Sequence, residues 1–147
     1  SIDPSKCVGC GRCIGACHKD AVQTMNDEAN DILNKKMVEY AAAILQNKPC
    51  FHISLICDVS PFCDCHAEND VPIIPDVGML ASFDPVALDQ ACADLCNAQP
   101  AVAGSRIAGS TEKDHFHANH PVTDWRSQIS HGEKMGLGTS RYELITV

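Results

Sequence analysis

Four cysteines packed into eleven residues constrain this chain more than any other feature. The stretch Cys7-Val-Gly-Cys10-Gly-Arg-Cys13-Ile-Gly-Ala-Cys17 has the spacing C-x2-C-x2-C-x3-C, by which many proteins hold [4Fe–4S] clusters. A cubane cluster needs four thiolates converging on its iron corners. Short gaps let one loop bring several thiolates round it, and small residues let the backbone approach. Gly9, Gly11 and Gly15 lie between these cysteines, where a side chain would crowd an inorganic core. A disulfide knot or a zinc knuckle is the competing use of the same thiols. Structural zinc sites, however, usually set two spaced pairs rather than a triplet plus one.

In two-cluster ferredoxins the first three cysteines of such a run hold one cluster and the fourth ligates the other. On that geometry Cys7, Cys10 and Cys13 need one distant ligand and Cys17 needs three, yet the run is not repeated. Cys50-Phe-His-Ile-Ser-Leu-Ile-Cys57 reads as a buried, β-rich strand, with Phe51, Ile53, Leu55 and Cys57 on one face. Behind it Pro61 breaks the chain into a loop holding Cys63-Asp-Cys65. Thiols in a polar loop at a strand end are placed like ligands, so Cys57, Cys63 and Cys65 are the candidates for the distant set. Free loop thiols or a labile redox pair is the alternative. The candidates then number seven, and two cubanes want about eight. Cys50, Cys92, Cys96, a histidine or a partner chain would supply the last. One cluster, held by Cys7, Cys10, Cys13 and Cys17, leaves the other three spare.

The remaining elements follow in chain order. His18 stands where such motifs usually have proline. Residues 21–25 alternate as a short strand, and residues 26–30 read as a turn. A helix is expected over 31–46, with Leu33, Met37, Ala41, Ile44 and Leu45 as its apolar face, stopped by Asn47-Lys48-Pro49. Gly78 to Ser82 reads as a strand. Asp84-Pro85 then starts a helix to about Asn97, Asp84 as N-cap and Pro85 at the first helical position. Leu88, Ala91, Cys92, Leu95 and Cys96 share its inner face, so Cys92 and Cys96 read as buried structural thiols. Asp89 reads as a first-turn charge. Residues 101–111 are a loop. His115, His117 and His120, ahead of Pro121, invite a metal, but in an irregular segment without a hydrolase motif they are better read as structural. A last helix is expected over 124–135, capped by Thr123, with Trp125, Ile129 and Gly132 inward, followed by a strand over 142–147. These elements predict an α+β fold, a small mixed sheet with about three packing helices and a ferredoxin-like cluster-binding loop. They form one domain over 1–147, in which 1–25 carries the cluster motif and 26–147 the α+β part with further cysteines.

Charge and cysteine usage narrow the function classes. The chain has 19 acidic and 11 basic residues and a formal charge of −8. That argues against a nucleic-acid binder, which usually shows a basic face, and suits docking on a basic patch of a redox partner. Ten cysteines among 147 residues, with no membrane-spanning run and no charged-then-apolar leader, fit thiols kept for metal in a reducing, cytoplasmic setting. The sequence begins at Ser1 rather than Met, which reads as a fragment of a longer chain.

The order of motifs is similar to a known family. The cysteine run is followed by a helix, by Cys63-Asp-Cys65, by Pro75-Asp-Val-Gly78, and by Ala81-Ser-Phe-Asp84-Pro85-Val-Ala-Leu-Asp89-Gln-Ala91. The chain closes with His120-Pro121, Gly136-Leu-Gly138 and Tyr142-Glu-Leu-Ile. Together these resemble the C-terminal half of the iron–sulfur proteins that carry the domain of unknown function 362. The resemblance implies a cluster-bearing chain that normally follows an α/β part, and it brings no established reaction. Electron transfer, within a larger redox system or for a partner protein, is the expected function, and an electron-transfer module is favoured over a catalyst. An iron–sulfur enzyme with an open cluster site and a purely structural metal domain are the alternatives. No dinucleotide fingerprint follows a strand and no serine elbow is visible.

Overall fold

The computed structural model describes residues 2–3, 5–7, 11–19, 21–22, 30–63 and 70–147. Its elements in order are α1 (Arg12–Gly15), α2 (Asn30–Leu45), β1 (His52–Ile56), β2 (Gly78–Ser82), α3 (Pro85–Asn97), α4 (His115–Asn119) and α5 (Arg126–Lys134). The fold is α+β. Its sheet, among the described residues, is a two-stranded antiparallel pair in which His52 faces Ser82, Ser54 faces Leu80 and Ile56 faces Gly78. A hairpin this small is marginal alone, and α3 covers one of its faces. α5 packs on α3, and α2 packs on α5.

The core forms where β1 meets α3 and the loops beyond. Ile56, Ile73, Ile74, Cys96 and Ile107 are its buried centre, with Val59, Leu80, Cys92, Leu95 and Phe116 around it. The loops on either side of residue 65 extend the pairing past the sheet: Val77 N–H donates to Ile56 C=O and Ile73 N–H to Val59 C=O. The 101–111 loop joins this core, since Val102 N–H bonds Ile73 C=O and Ile107 is buried.

α3 starts as its sequence dictates. Asp84 accepts the Ala87 N–H at 2.9 Å, and Pro85 stands in the first turn, where no N–H is needed. The other Asp84 oxygen accepts the Thr139 N–H at 2.9 Å and ties the C-terminal segment to this helix start. Asp89 lies beyond the first turn and takes a long 3.4 Å contact from Gln128 Nε2, so it is not a first-turn charge. Gly132 lets α5 approach α3, because a Cβ there would sit 3.0 Å from Val86 Cγ2.

Several expectations need correction. β1 buries the opposite face from the one assigned: His52, Ser54 and Ile56 point inward, while Phe51, Ile53, Leu55 and Cys57 are exposed. The reason is tertiary, because α3 covers only one side of the pair. α2 likewise turns Val38, with Ala41 and Leu45 half-buried, toward the body, and leaves Leu33, Met37 and Ile44 exposed. Thr123 does not cap α5. Its hydroxyl bonds His120 C=O, and Asp124 Oδ1 accepts the Arg126 N–H instead. His115 to Asn119 is helical rather than irregular, because Asp114 caps it by accepting from Phe116 and His117 N–H. Residues 142–147 form no strand; the Tyr142 hydroxyl instead donates to Asp94 at 2.9 Å. Ala21 and Val22 are irregular, and the rest of the strand expected over 21–25 lies outside the described residues, as do residues 26–29 of the turn.

Candidate metal centre

The N-terminal loop is shaped by backbone bonds. Lys6 and Cys7 N–H both donate to Asp3 C=O, and the Asp3 carboxylate accepts from the Ser5 N–H and hydroxyl. Gly11 takes a left-handed φ of 71° at the head of α1, which a residue with a Cβ adopts only with strain. Its carbonyl accepts from Ile14 and Gly15 N–H. Cys7 and Cys13 are exposed and Cys17 is half-buried, while Cys10 lies outside the described residues.

Cys17 has the clearest electrostatics. The nearby backbone N–H groups of Lys19 and Ala21, with a lesser effect from Val22, lower its pKa below the ordinary thiol value against the opposing effect of burial. Donors aimed at a sulfur favour its charged form. The residues that provide them follow the cysteine run immediately, and the sequence pattern alone did not single them out.

The second set of thiols sits at the far end of β1. Cys57 is exposed where the strand ends. Asp58 beside it adopts a left-handed φ of 48°, and its N–H bonds Asp76 Oδ1 at 2.9 Å. The chain then dives inward at Pro61, one of the most deeply buried side chains, and returns to the surface at Cys63. Cys65 lies outside the described residues. The turn ahead of Cys63 is held from the C-terminal third. Asn119 Nδ2 donates to Pro61 C=O at 2.6 Å, and His120 Nε2 meets the same oxygen at 2.8 Å. The Phe62 ring packs edge-on to His120 at 6.0 Å, with the Arg106 guanidinium 4.9 Å from its centroid.

The three histidines have separate partners. His115 Nε2 bonds Gln99 C=O at 2.8 Å, His117 Nδ1 lies 3.6 Å from Glu112, and His120 holds Pro61. Cys50 donates weakly to Lys48 C=O at 3.4 Å. Burial, the leading influence, raises the Cys92 pKa against a hydrogen bond with Ser54. Cys96 lies in the core, where burial and then the neighbouring Cys92 push its thiol up to about 11. Among the described residues, no three or more histidine, cysteine, aspartate or glutamate side chains gather as a metal site. Among the described residues, Cys7, Cys13 and Cys17 are therefore not gathered as a metal site, and Cys57 and Cys63 are not part of one either. Also among the described residues, no helix is long and apolar enough to cross a membrane.

Compared with known families, residues 6–94 match a domain of unknown function (DUF362). That span runs from just before Cys7 into α3 and takes in Cys7, Cys10, Cys13, Cys17, Cys57, Cys63 and Cys65. No curated protein and no solved structure matches the chain.

Proposed function

The chain belongs to the DUF362 family, and we propose that within it this chain is an iron–sulfur protein passing single electrons, with Cys7, Cys10, Cys13 and Cys17 as the ligands of a [4Fe–4S] cluster. The observation that carries this reading is the C-x2-C-x2-C-x3-C run of Cys7, Cys10, Cys13 and Cys17, with Gly11 in a left-handed turn inside it; the backbone N–H groups of Lys19, Ala21 and Val22 also lower the Cys17 pKa. A thiol held toward its charged form by fixed backbone donors suits a ligand. Amide donors to sulfur also help set a cluster's potential. When bound, the cluster would supply reversible one-electron acceptance.

The chain's own residues would do the rest. Gly11 supplies the turn that opens α1. Cys57, Cys63 and Cys65 are the proposed ligands of a second cluster. Cys96 is the least suited to complete that set, because burial holds its proton on. The acidic surface, with a formal charge of −8, would orient the protein on a basic redox partner, at rates that fall with added salt.

The deciding experiment measures iron and acid-labile sulfide per chain after anaerobic purification, together with visible and spin-resonance spectra. About eight irons fit two cubanes and about four fit one. Cys10→Ala should remove the first cluster and lower stability, since metal-binding energy in such a loop is folding energy. Zinc without sulfide in the wild-type chain, or full iron content in Cys10→Ala, would overturn the reading.

A further inference from the structure

The stretch from His115 to His120 has chemistry that neither proposed cluster uses. Its last two residues converge on one atom, the Pro61 carbonyl oxygen, from 58 and 59 positions along the chain. A carbonyl accepts with two lone pairs, and here both are taken. Because that oxygen can only accept, His120 must carry its proton on Nε2. Two donors on one oxygen fix the direction of the peptide plane that leads into Phe62.

Neighbouring contacts extend this hold toward Cys63. Ser60 Oγ donates to Phe62 C=O at 2.7 Å, and the Phe62 ring contacts both the His120 imidazole and the Arg106 guanidinium. The clamp also carries a cost. Asn119 is buried, and its Oδ1 has no hydrogen-bond partner among the described residues. A buried unpaired carbonyl is destabilising, and a fold keeps one where the rest of the side chain has a task. α4 sets both residues, and its Asp114 cap is in turn held by the Trp125 indole N–H and the Arg126 guanidinium.

We infer that Asn119 and His120 are positioning residues that aim the Cys63 loop toward its metal by fixing the Pro61 carbonyl. This rests on the proposed ligand role of that loop. Residues that orient ligands in this way typically change metal affinity about 10–100-fold when replaced.

The test loads the whole 147-residue chain anaerobically with iron and sulfide and compares it with Cys63→Ala, His120→Leu, His120→Gln and Asn119→Ala. Iron per chain is read beside the spin-resonance signals, with far-ultraviolet circular dichroism as the check on folding. The expected result is that Cys63→Ala and His120→Leu fall from about eight irons to about four, keeping the signal of the first site and native helicity. Asn119→Ala should follow in part. His120→Gln, which can still donate to Pro61, should recover most of the loss. Wild-type iron in His120→Leu alongside a loss in Cys63→Ala would overturn the positioning role and leave the proposed function standing. Wild-type iron in Cys63→Ala would remove the loop from the ligand set and the inference with it. Loss of helicity in both His120→Leu and Asn119→Ala, with no recovery in His120→Gln, would assign the pair a general structural role instead.

Discussion

Replacing Gly138 with alanine should destabilise the fold, although the glycine's backbone is not in the left-handed region. The reason is a carboxylate. A Cβ built on Gly138 would lie 2.5 Å from Asp84 Cγ, 2.7 Å from its Oδ2, and closer still to Oδ1. Asp84 would have to swing away, because its backbone is fixed at the head of α3. Two bonds go with it, from Ala87 N–H and from Thr139 N–H. Loss of an N-cap costs about 0.5–2 kcal/mol. A hydrogen bond to a charged acceptor is worth about 1.5–3 kcal/mol. The sum predicts about 2–5 kcal/mol lost for Gly138→Ala, a large share of the roughly 5–15 kcal/mol of a typical domain. The assay is urea unfolding of the metal-free, reduced chain, with Asp84→Ala and the double variant completing a cycle. In the Asp84→Ala background the alanine meets no carboxylate and should cost less than about 1 kcal/mol. Equal losses in both backgrounds, or a loss below about 0.5 kcal/mol in the wild type, would refute the argument, since contacting residues should couple.

Two further outcomes follow from titratable groups. Asp114 is buried, which alone would raise its pKa, but the Arg126 guanidinium, the Trp125 indole N–H and the His117 backbone N–H outweigh burial and hold it below the ordinary carboxylate value. A folded-state pKa below the unfolded one gives stability that is present above about pH 4 and lost as pH falls through the folded value. The difference in urea midpoint between wild type and Asp114→Asn should therefore shrink in acid, and a pH-independent difference would contradict this assignment. Cys96→Ala should cost about 1–2 kcal/mol for one buried sulfur while leaving the iron content unchanged. Loss of iron in that variant would make Cys96 a ligand.

The sequence announced those parts of the fold whose signals are local. Asp84-Pro85 marked the start of α3 because a cap and a proline act within one turn. Cys92 and Cys96 could be placed inward because helical spacing puts them beside Leu88 and Leu95. The signals failed where a segment is apolar on more than one side. β1 has Phe51, Ile53 and Leu55 on one face and only Ile56 among its apolar inward residues, so hydrophobicity alone chose the wrong side. What decides is where α3 lies, and that is not written in the strand. α2 repeats the lesson, with Leu33, Met37 and Ile44 on the side away from Val38. α4 was legible in principle, because Asp114 ahead of His115 is an N-cap signal, although Pro121 close behind argues for an irregular segment. The cysteine run was plain from spacing. The amides on Cys17 and the pairing of Asn119 with His120 on Pro61 were not, because backbone direction and contacts nearly sixty residues apart leave no periodic trace.

The clamp on Pro61 also has a consequence in time. Its two halves lie 58 and 59 residues apart. At about 5–20 residues per second of synthesis, the ribosome makes the Cys63 loop some 3–12 s before the side chains that hold it. Through that interval the thiols of the loop emerge unheld, open to any passing metal or oxidant. The order of translation thus leaves Cys63 for that interval without the contacts that fix the turn ahead of it in the finished structure.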